Sequence, residues 1–327
     1  MIKKTTEDYN GEEDNGKFII NSDDESWHKK ILMEYPHLGT IETWHPSKNL
    51  IWHSSDNPNF FKDNIQRKKN LYQQYGWDDT NIRYSHTKIG NRCERENLGI
   101  DLSQEKGGVM YLGCSYTYGV GVNIEDTWSY RLHRELYSGR RYINFGMPGY
   151  GLEVYYRMLK IYIKQIQPDT IICSRFWNRS RTEAWDAINK TLQRVTTNIP
   201  DKNMPISVDS VKDGKIIKDI GNPHAFTRLF FFDQEPGILR GLAYVDAIKQ
   251  LCLENNVHLY MFPWASHLKC DVPYVPAEEY CDFARDFLHP GRKWHKHLVD
   301  HFNYMLDNYA DYDLCGTSKN NESIRLR

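Results

Sequence analysis

Nucleophilic acyl chemistry needs a serine with free backbone amides beside it and an acid held close to a histidine, and this chain carries both. Ser115 stands in Gly113-Cys114-Ser115-Tyr116-Thr117-Tyr118-Gly119, directly after the apolar run Val109-Met110-Tyr111-Leu112. A strand ending there sets the serine hydroxyl beside unbonded N–H groups, where the negative charge of an attacked carbonyl would be stabilised. Asp286 and His289 stand three residues apart in Asp286-Phe287-Leu288-His289-Pro290, so a single loop can present both. In such a pair the imidazole takes the serine proton through one ring nitrogen, while the carboxylate holds the other and stabilises the imidazolium. Thr117 occupies the position where a GxSxG elbow requires glycine, so this is not the elbow of the common α/β-hydrolases.

Two further segments could complete such a site. Gly146, in Asn144-Phe145-Gly146-Met147-Pro148-Gly149-Tyr150-Gly151, lets a substrate oxygen approach a bare backbone N–H. Asn178, in Arg175-Phe176-Trp177-Asn178, offers a side-chain amide as another oxyanion donor. Each segment also has a plainer reading. Small residues end a strand at Ser115, Asp286 caps a helix opening at Pro290 with His289 on the surface, and Gly146 and Asn178 belong to turns.

The elements that must position these residues alternate. GGVMYLGCS reads as a strand, and DTWSYRLHRELYS as a helix with Asp126 as its cap. RRYINFG is a second strand, and Leu152, Tyr155, Leu159, Tyr162 and Ile166 share one helical face before Pro168. DTIICSR is a third strand, followed by a helix expected near Arg181 to Val195 and then a stretch from Thr197 to Gly237 with a hairpin signal at Asp213-Gly214. Ile238, Leu242, Val245, Ile248 and Cys252 mark another helix, VHLYMFP another strand, and a last helix is expected from Pro290 to Asn308. This rhythm predicts an α/β fold with a parallel sheet covered on both faces and its site at the carboxyl ends of the strands.

In order along the chain, the four segments resemble the SGNH (GDSL-like) hydrolase superfamily, in the branch with an extended first block and a DxxHPG last block. The phrases GCSYTYGVGV, NFGMPGYG and DFLHPG carry the resemblance, which spans roughly Gly107 to Asn308. Cys114 stands where the family usually has aspartate, and RFWNR where it usually has GxND. The resemblance implies a three-layer sandwich with a mainly parallel, flavodoxin-like sheet. It implies Ser115 as nucleophile, His289 as base and Asp286 as its partner, with an oxyanion hole from Ser115, Gly146 and Asn178. The implied reaction is hydrolysis of an ester, O-acetyl or short-acyl and often on carbohydrate. Acyl transfer from the same serine, and a non-catalytic module binding a glycan or protein, are the alternatives left open.

Composition narrows the partners. Lys and Arg total 42 against 43 Asp and Glu in 327 residues, a formal net charge of -1, which offers no field to recruit nucleic acid or an anionic membrane. The first residues are polar and acidic and no run has the length of a spanning helix, so an unexported, cytoplasmic protein is expected. The Asn-X-Ser/Thr sites are then expected to stay unmodified. Seven scattered cysteines, none in a CxxC pair, predict reduced thiols. His289, His295, His297 and His301 form a histidine-rich stretch without an HExxH motif, and no metal site is expected there. Neither GxGxxG nor GxxxxGK[ST] is complete, so no cofactor is expected. The expected organisation is a disordered acidic arm over 1–26, an irregular, aromatic-rich extension over 27–106 packed on or capping the core, the hydrolase-like domain over 107–310 with an insertion at about 197–237, and a flexible tail over 311–327. Nothing in the sequence sets the oligomeric state.

Overall fold

Short apolar runs separated by amphipathic helices build the centre of the molecule. The computed structural model describes residues 46–53, 55–78, 82–175, 181–186, 191–196, 210–212, 215–217, 234–263 and 282–309. Four strands form one parallel sheet: β4 (Val109–Gly113), β5 (Tyr142–Gly146), β6 (Thr170–Arg175) and β11 (His258–Pro263), in the order β11-β6-β4-β5. The register aligns Val109 with Tyr142 on one side and with Thr170 on the other, and His258 with Thr170. The chain leaves β4 for β5 at one side and then returns past β4 to β6. In open parallel sheets, such a reversal is the place where ligands bind, outside the carboxyl ends of the strands, here those of β4 and β6.

Alternate residues of each strand enter different cores, as a strand period of two requires. Met110, Leu112, Ile143, Phe145, Ile171, Cys173, Leu259 and Met261 face α4 (Leu152–Ile166) and α5 (Gln234–Glu254). Val109, Tyr111, Tyr142, Ile172 and Phe262 face α3 (Trp128–Leu136) and α6 (Arg292–Tyr309), where Trp128, Leu132, Trp294, Leu298 and Phe302 lie. Helices on both faces make the three layers. Burying one such side chain contributes roughly 1.5–3 kcal/mol, which is why the positions that face these two cores are apolar.

The structure corrects several local expectations. Residues 181–195, expected to be helical, form the strands β7 (Arg181–Asp186) and β8 (Thr191–Thr196), paired antiparallel with Arg181 opposite Thr196. Threonine, valine and tryptophan at these positions favour a pleated surface over a helix. The hairpin signal at Asp213-Gly214 lies between β9 (Ser210–Lys212) and β10 (Lys215–Ile217), which pair antiparallel. The cap of α3 is Thr127, whose Oγ1 accepts from the Tyr130 N–H, whereas Asp126 belongs to the preceding 3-10 turn and pairs with Arg131 and Arg292. Residues 1–26, 311–327 and most of 197–237, for which an arm, a tail and an insertion are expected, lie outside the described residues.

The described part of the extension is more regular than its composition suggests. It contains α1 (Pro58–Tyr75) and a small antiparallel sheet of β1 (Asn49–Leu50), β2 (Tyr84–His86) and β3 (Arg92–Cys93). Asn57 caps α1, its Oδ1 accepting from the amides of Asn59 and Phe60. Pro58 fills the first position, and Gly76 ends the helix with a φ of 68°, the proline-in, glycine-out asymmetry of helix termini. Trp52, Phe61, Tyr72, Trp77, Ile82 and Tyr84 of this segment share a third core with Tyr118, Val120, Val122, Ala284 and Phe287. Those last five residues come from the two segments that carry Ser115 and His289. Among the described residues no helix is long and apolar enough to cross a membrane.

Candidate active site

Ser115 begins a one-turn helix, α2 (Ser115–Tyr118), at the carboxyl end of β4 and is 4% exposed. The turn is held from several sides. Its Thr117 Oγ1 lies 2.8 Å from Ser174 Oγ of β6, and Asn144 Nδ2 of β5 donates to Thr117 O at 2.9 Å. The Arg92 guanidinium, fully buried, donates to the carbonyls of Tyr118 (2.7 Å), Gly119 (2.5 Å), Val122 (2.7 Å) and Arg83 (2.9 Å). A buried cation that spends its donors on consecutive carbonyls fixes the chain leaving the serine turn.

The acid–base loop is built with equal care. Asp286 is 1% exposed and His289 partly exposed. His289 Nδ1 lies 2.6 Å from Asp286 Oδ2, while the amides of Leu288 and His289 both donate to Asp286 Oδ1 at 3.0 Å. An ionised carboxylate only accepts, so Nδ1 carries a hydrogen, and in the neutral form of the ring Nε2 is the nitrogen with the lone pair. Burial alone would raise the Asp286 carboxyl. The charge of His289 and the hydrogen bonds from His289, Ser55 and the Leu288 amide outweigh it and hold the group below its ordinary value. Asp286 does not cap α6. That task falls to Asp282, whose carboxylate accepts from the amides of Lys293 and Trp294.

Two contacts bring the serine turn and the acid–base loop together. The Tyr116 ring stands perpendicular to the His289 imidazole, 5.8 Å between centroids, and edge-on to Trp294 of α6 at 5.6 Å. The Gly121 carbonyl accepts from the Arg285 N–H at 2.9 Å. Gly121 has a φ of 77°, and a Cβ there would meet Ala284 Cβ at 2.7 Å and Arg285 N at 3.1 Å, so this crossing admits only glycine.

Gly146 lies where the sequence placed it, at the end of β5, but its amide is already used. The Gly146 N–H donates to Asn144 Oδ1 at 2.8 Å, and a Cβ on Gly146 would overlap the Tyr118 backbone. The missing side chain of Gly146 is what lets β5 touch the serine turn. Asn178 lies outside the described residues. His295 and His297 are the other histidines of that stretch whose side chains are described. His295 is fully buried and accepts the Trp128 N–H at Nδ1, 3.1 Å, burial pushing it down to about 3. His297 is exposed. Among the described residues no group of three or more His, Cys, Asp or Glu could hold a metal.

Sequence reasoning missed the contribution of the extension. Ser55 Oγ donates to Asp286 Oδ2 at 2.6 Å, and Asn64 Nδ2 donates to Asp286 O at 3.1 Å. Tyr72 OH donates to Arg285 O at 2.6 Å, and Trp77 Nε1 to Phe283 O at 2.9 Å. Asn57-Pro58 and Gly76 were the available signal for the helix that carries Asn64 and Tyr72, with Trp77 directly after it. No local signal marks Ser55.

No family model matches the chain, and no curated protein does. Among solved structures, the chain is similar to a lipolytic protein of the G-D-S-L family from Desulfitobacterium hafniense, at 13% identity and a TM-score of 0.27, over 62% of this chain and 100% of that one. It is similar to the psychrotrophic esterase EstA from Pseudoalteromonas sp., at 13% identity and a TM-score of 0.28, over 63% and 100%. It is also similar to a catalytic mutant of an acetylxylan esterase from Geobacillus stearothermophilus, at 13% identity and a TM-score of 0.27, over 61% and 93%. Overlaps of that size leave the chemistry to be read from this chain's own side chains.

Proposed function

We propose that the chain is a serine ester hydrolase working through an acyl-serine intermediate. The observation that carries the reading is the His289–Asp286 pair, 2.6 Å apart, on a loop docked beside the serine turn. Ser115 Oγ attacks the ester carbonyl and gives its proton to His289 Nε2, and the carbonyl oxygen becomes the oxyanion. Collapse breaks the ester bond, with the proton passing from His289 to the leaving alkoxide. Water then attacks the acyl-serine, His289 takes the water proton, and Ser115 leaves with it, releasing a carboxylic acid. Asp286 orients the ring and stabilises the imidazolium in both halves.

The oxyanion donors in this proposal are the Ser115 N–H and the Asn178 side chain. With the Gly146 amide occupied, the third donor is assigned to the turn after β5, where Gly149 is partly exposed and has a φ of 83°. The proposed substrate is an O-acetyl or short-acyl ester, in its narrower form carried on a carbohydrate.

A fluorophosphonate probe with peptide mass mapping tests the reading. Labelling confined to Ser115, lost in Ser115→Ala and in His289→Ala, is the expected result, together with hydrolysis of p-nitrophenyl acetate. Unlabelled, folded wild-type protein would overturn it.

A further inference from the structure

The turn before α1 sets two consecutive residues, Ser55 and Asp56, against two consecutive residues of the acid–base loop, Asp286 and Arg285. Ser55 Oγ donates to Asp286 Oδ2 at 2.6 Å and lies 3.5 Å from His289 Nδ1. Oδ2 is the oxygen that also receives the His289 Nδ1 proton. Of the hydrogen bonds on this carboxylate, three come from its own loop, and the Ser55 bond joins residues 231 apart in the chain.

The position of Ser55 is itself fixed. Reciprocal backbone bonds between His53 and Asp56, 2.8 and 3.1 Å, close the turn that holds it. On one side the Asp56 carboxylate takes two donors of Arg285, Nε at 2.9 Å and Nη2 at 2.7 Å. On the other, the His53 ring stacks on Tyr118, the last residue of the serine turn, at 4.6 Å. One turn of the extension thus touches both halves of the site.

We propose that Ser55 is a positioning residue of the hydrolytic site, its hydroxyl holding Asp286 Oδ2 in the orientation that aligns the His289 ring. The extension is then a working part of the site. A carboxylate bound only by its own loop can still rotate about its terminal torsion, which is broad and soft. A donor fixed from outside the loop removes that freedom, and with it the ring positions that are useless for proton transfer. The inference rests on the hydrolase reading given above.

The test compares wild type, Ser55→Ala and Ser55→Thr, with Ser55→Val beside Ser55→Thr as a pair of equal shape with and without the hydroxyl. Rates of fluorophosphonate labelling at Ser115, and kcat and KM for p-nitrophenyl acetate, are followed across pH, with thermal melting as the control for folding. Ser55→Ala and Ser55→Val are expected to lower kcat and the labelling rate roughly ten- to a hundred-fold, by analogy with the loss of a partner that orients a metal-bound histidine, while KM stays within about two-fold. The carboxylate loses a donor, so the acid side of the pH profile moves to higher pH, and Ser55→Thr restores both rate and profile. Labelled wild type with unchanged rate and profile in Ser55→Ala and Ser55→Val overturns the role of Ser55 alone. Unlabelled wild type overturns the hydrolase reading and this inference with it.

Discussion

Asp56 and Arg285 form a two-pronged ion pair in which neither side chain reaches solvent, their side chains being 1% and 0% exposed. Tyr84 OH also donates to the Asp56 carboxylate, and the guanidinium lies over the Trp52 ring, 4.0 Å from its centroid. A pair this deeply buried ties the extension to the acid–base loop. Removing one partner leaves the other charge without compensation. Arg285→Met is therefore expected to cost about 3–5 kcal/mol, read as a lowered urea midpoint. The double variant Asp56→Leu/Arg285→Met is expected to lose less than the sum of the single changes. Strictly additive losses would show that the two side chains are not coupled.

Asp286→Asn keeps the shape of the acid and removes its charge. An amide at this place can donate to Nδ1 and favour the wrong tautomer of His289, so kcat for p-nitrophenyl acetate is expected to fall by about 10⁴ with the fold intact. A fall of less than ten-fold in a steady-state assay would remove Asp286 from the mechanism.

Asn178→Ala is expected to cost about 10²–10³ in kcat if its amide faces the oxyanion. A change confined to KM would instead mark it as a contact to the substrate's ground state.

Gly146→Ala separates packing from chemistry. The added methyl overlaps the Tyr118 backbone, and the strain is expected to destabilise the protein by about 1–3 kcal/mol, seen as a lower melting temperature.

Two buried histidines contribute to the loss of stability in acid. Burial pushes His295 down to about 3 and His133 to about 4, so both stay neutral in the folded protein while the unfolded chain takes up protons below about 6.5. The unfolded state then binds more protons, and stability falls as pH drops from about 6.5 toward those lower values, by about 1.4 kcal/mol per pH unit for each group. The stabilising contribution of Asp286, whose carboxyl is held below its ordinary value, is present above the ordinary carboxylate range and is lost only on further acidification. His295→Asn is expected to flatten the pH dependence of the urea midpoint between pH 6 and 4. An unchanged slope would show that His295 is not a neutral buried group.

The clearest features along the chain were those whose cause is local. Strands buried on both faces appear as apolar runs, and helices as a face repeating every three or four residues. The parallel sheet, α4 and the strand-end position of Ser115 followed from such patterns, and the three-residue spacing of Asp286 and His289 allowed their pairing. Local patterns failed at residues 181–196, where mixed polar and apolar residues pair as antiparallel strands, and at α1, whose apolar face is irregular.

Tertiary structure alone decided which groups are available and which are already used. The Gly146 amide is taken by Asn144, Arg92 is spent on four carbonyls, and Asp282 rather than Asp286 caps the last helix. It also decided that Ser55 and Asp56 reach Asp286 and Arg285 across more than two hundred residues of chain. Such contacts impose no period and no spacing, because they depend on where two distant turns meet after the cores have packed.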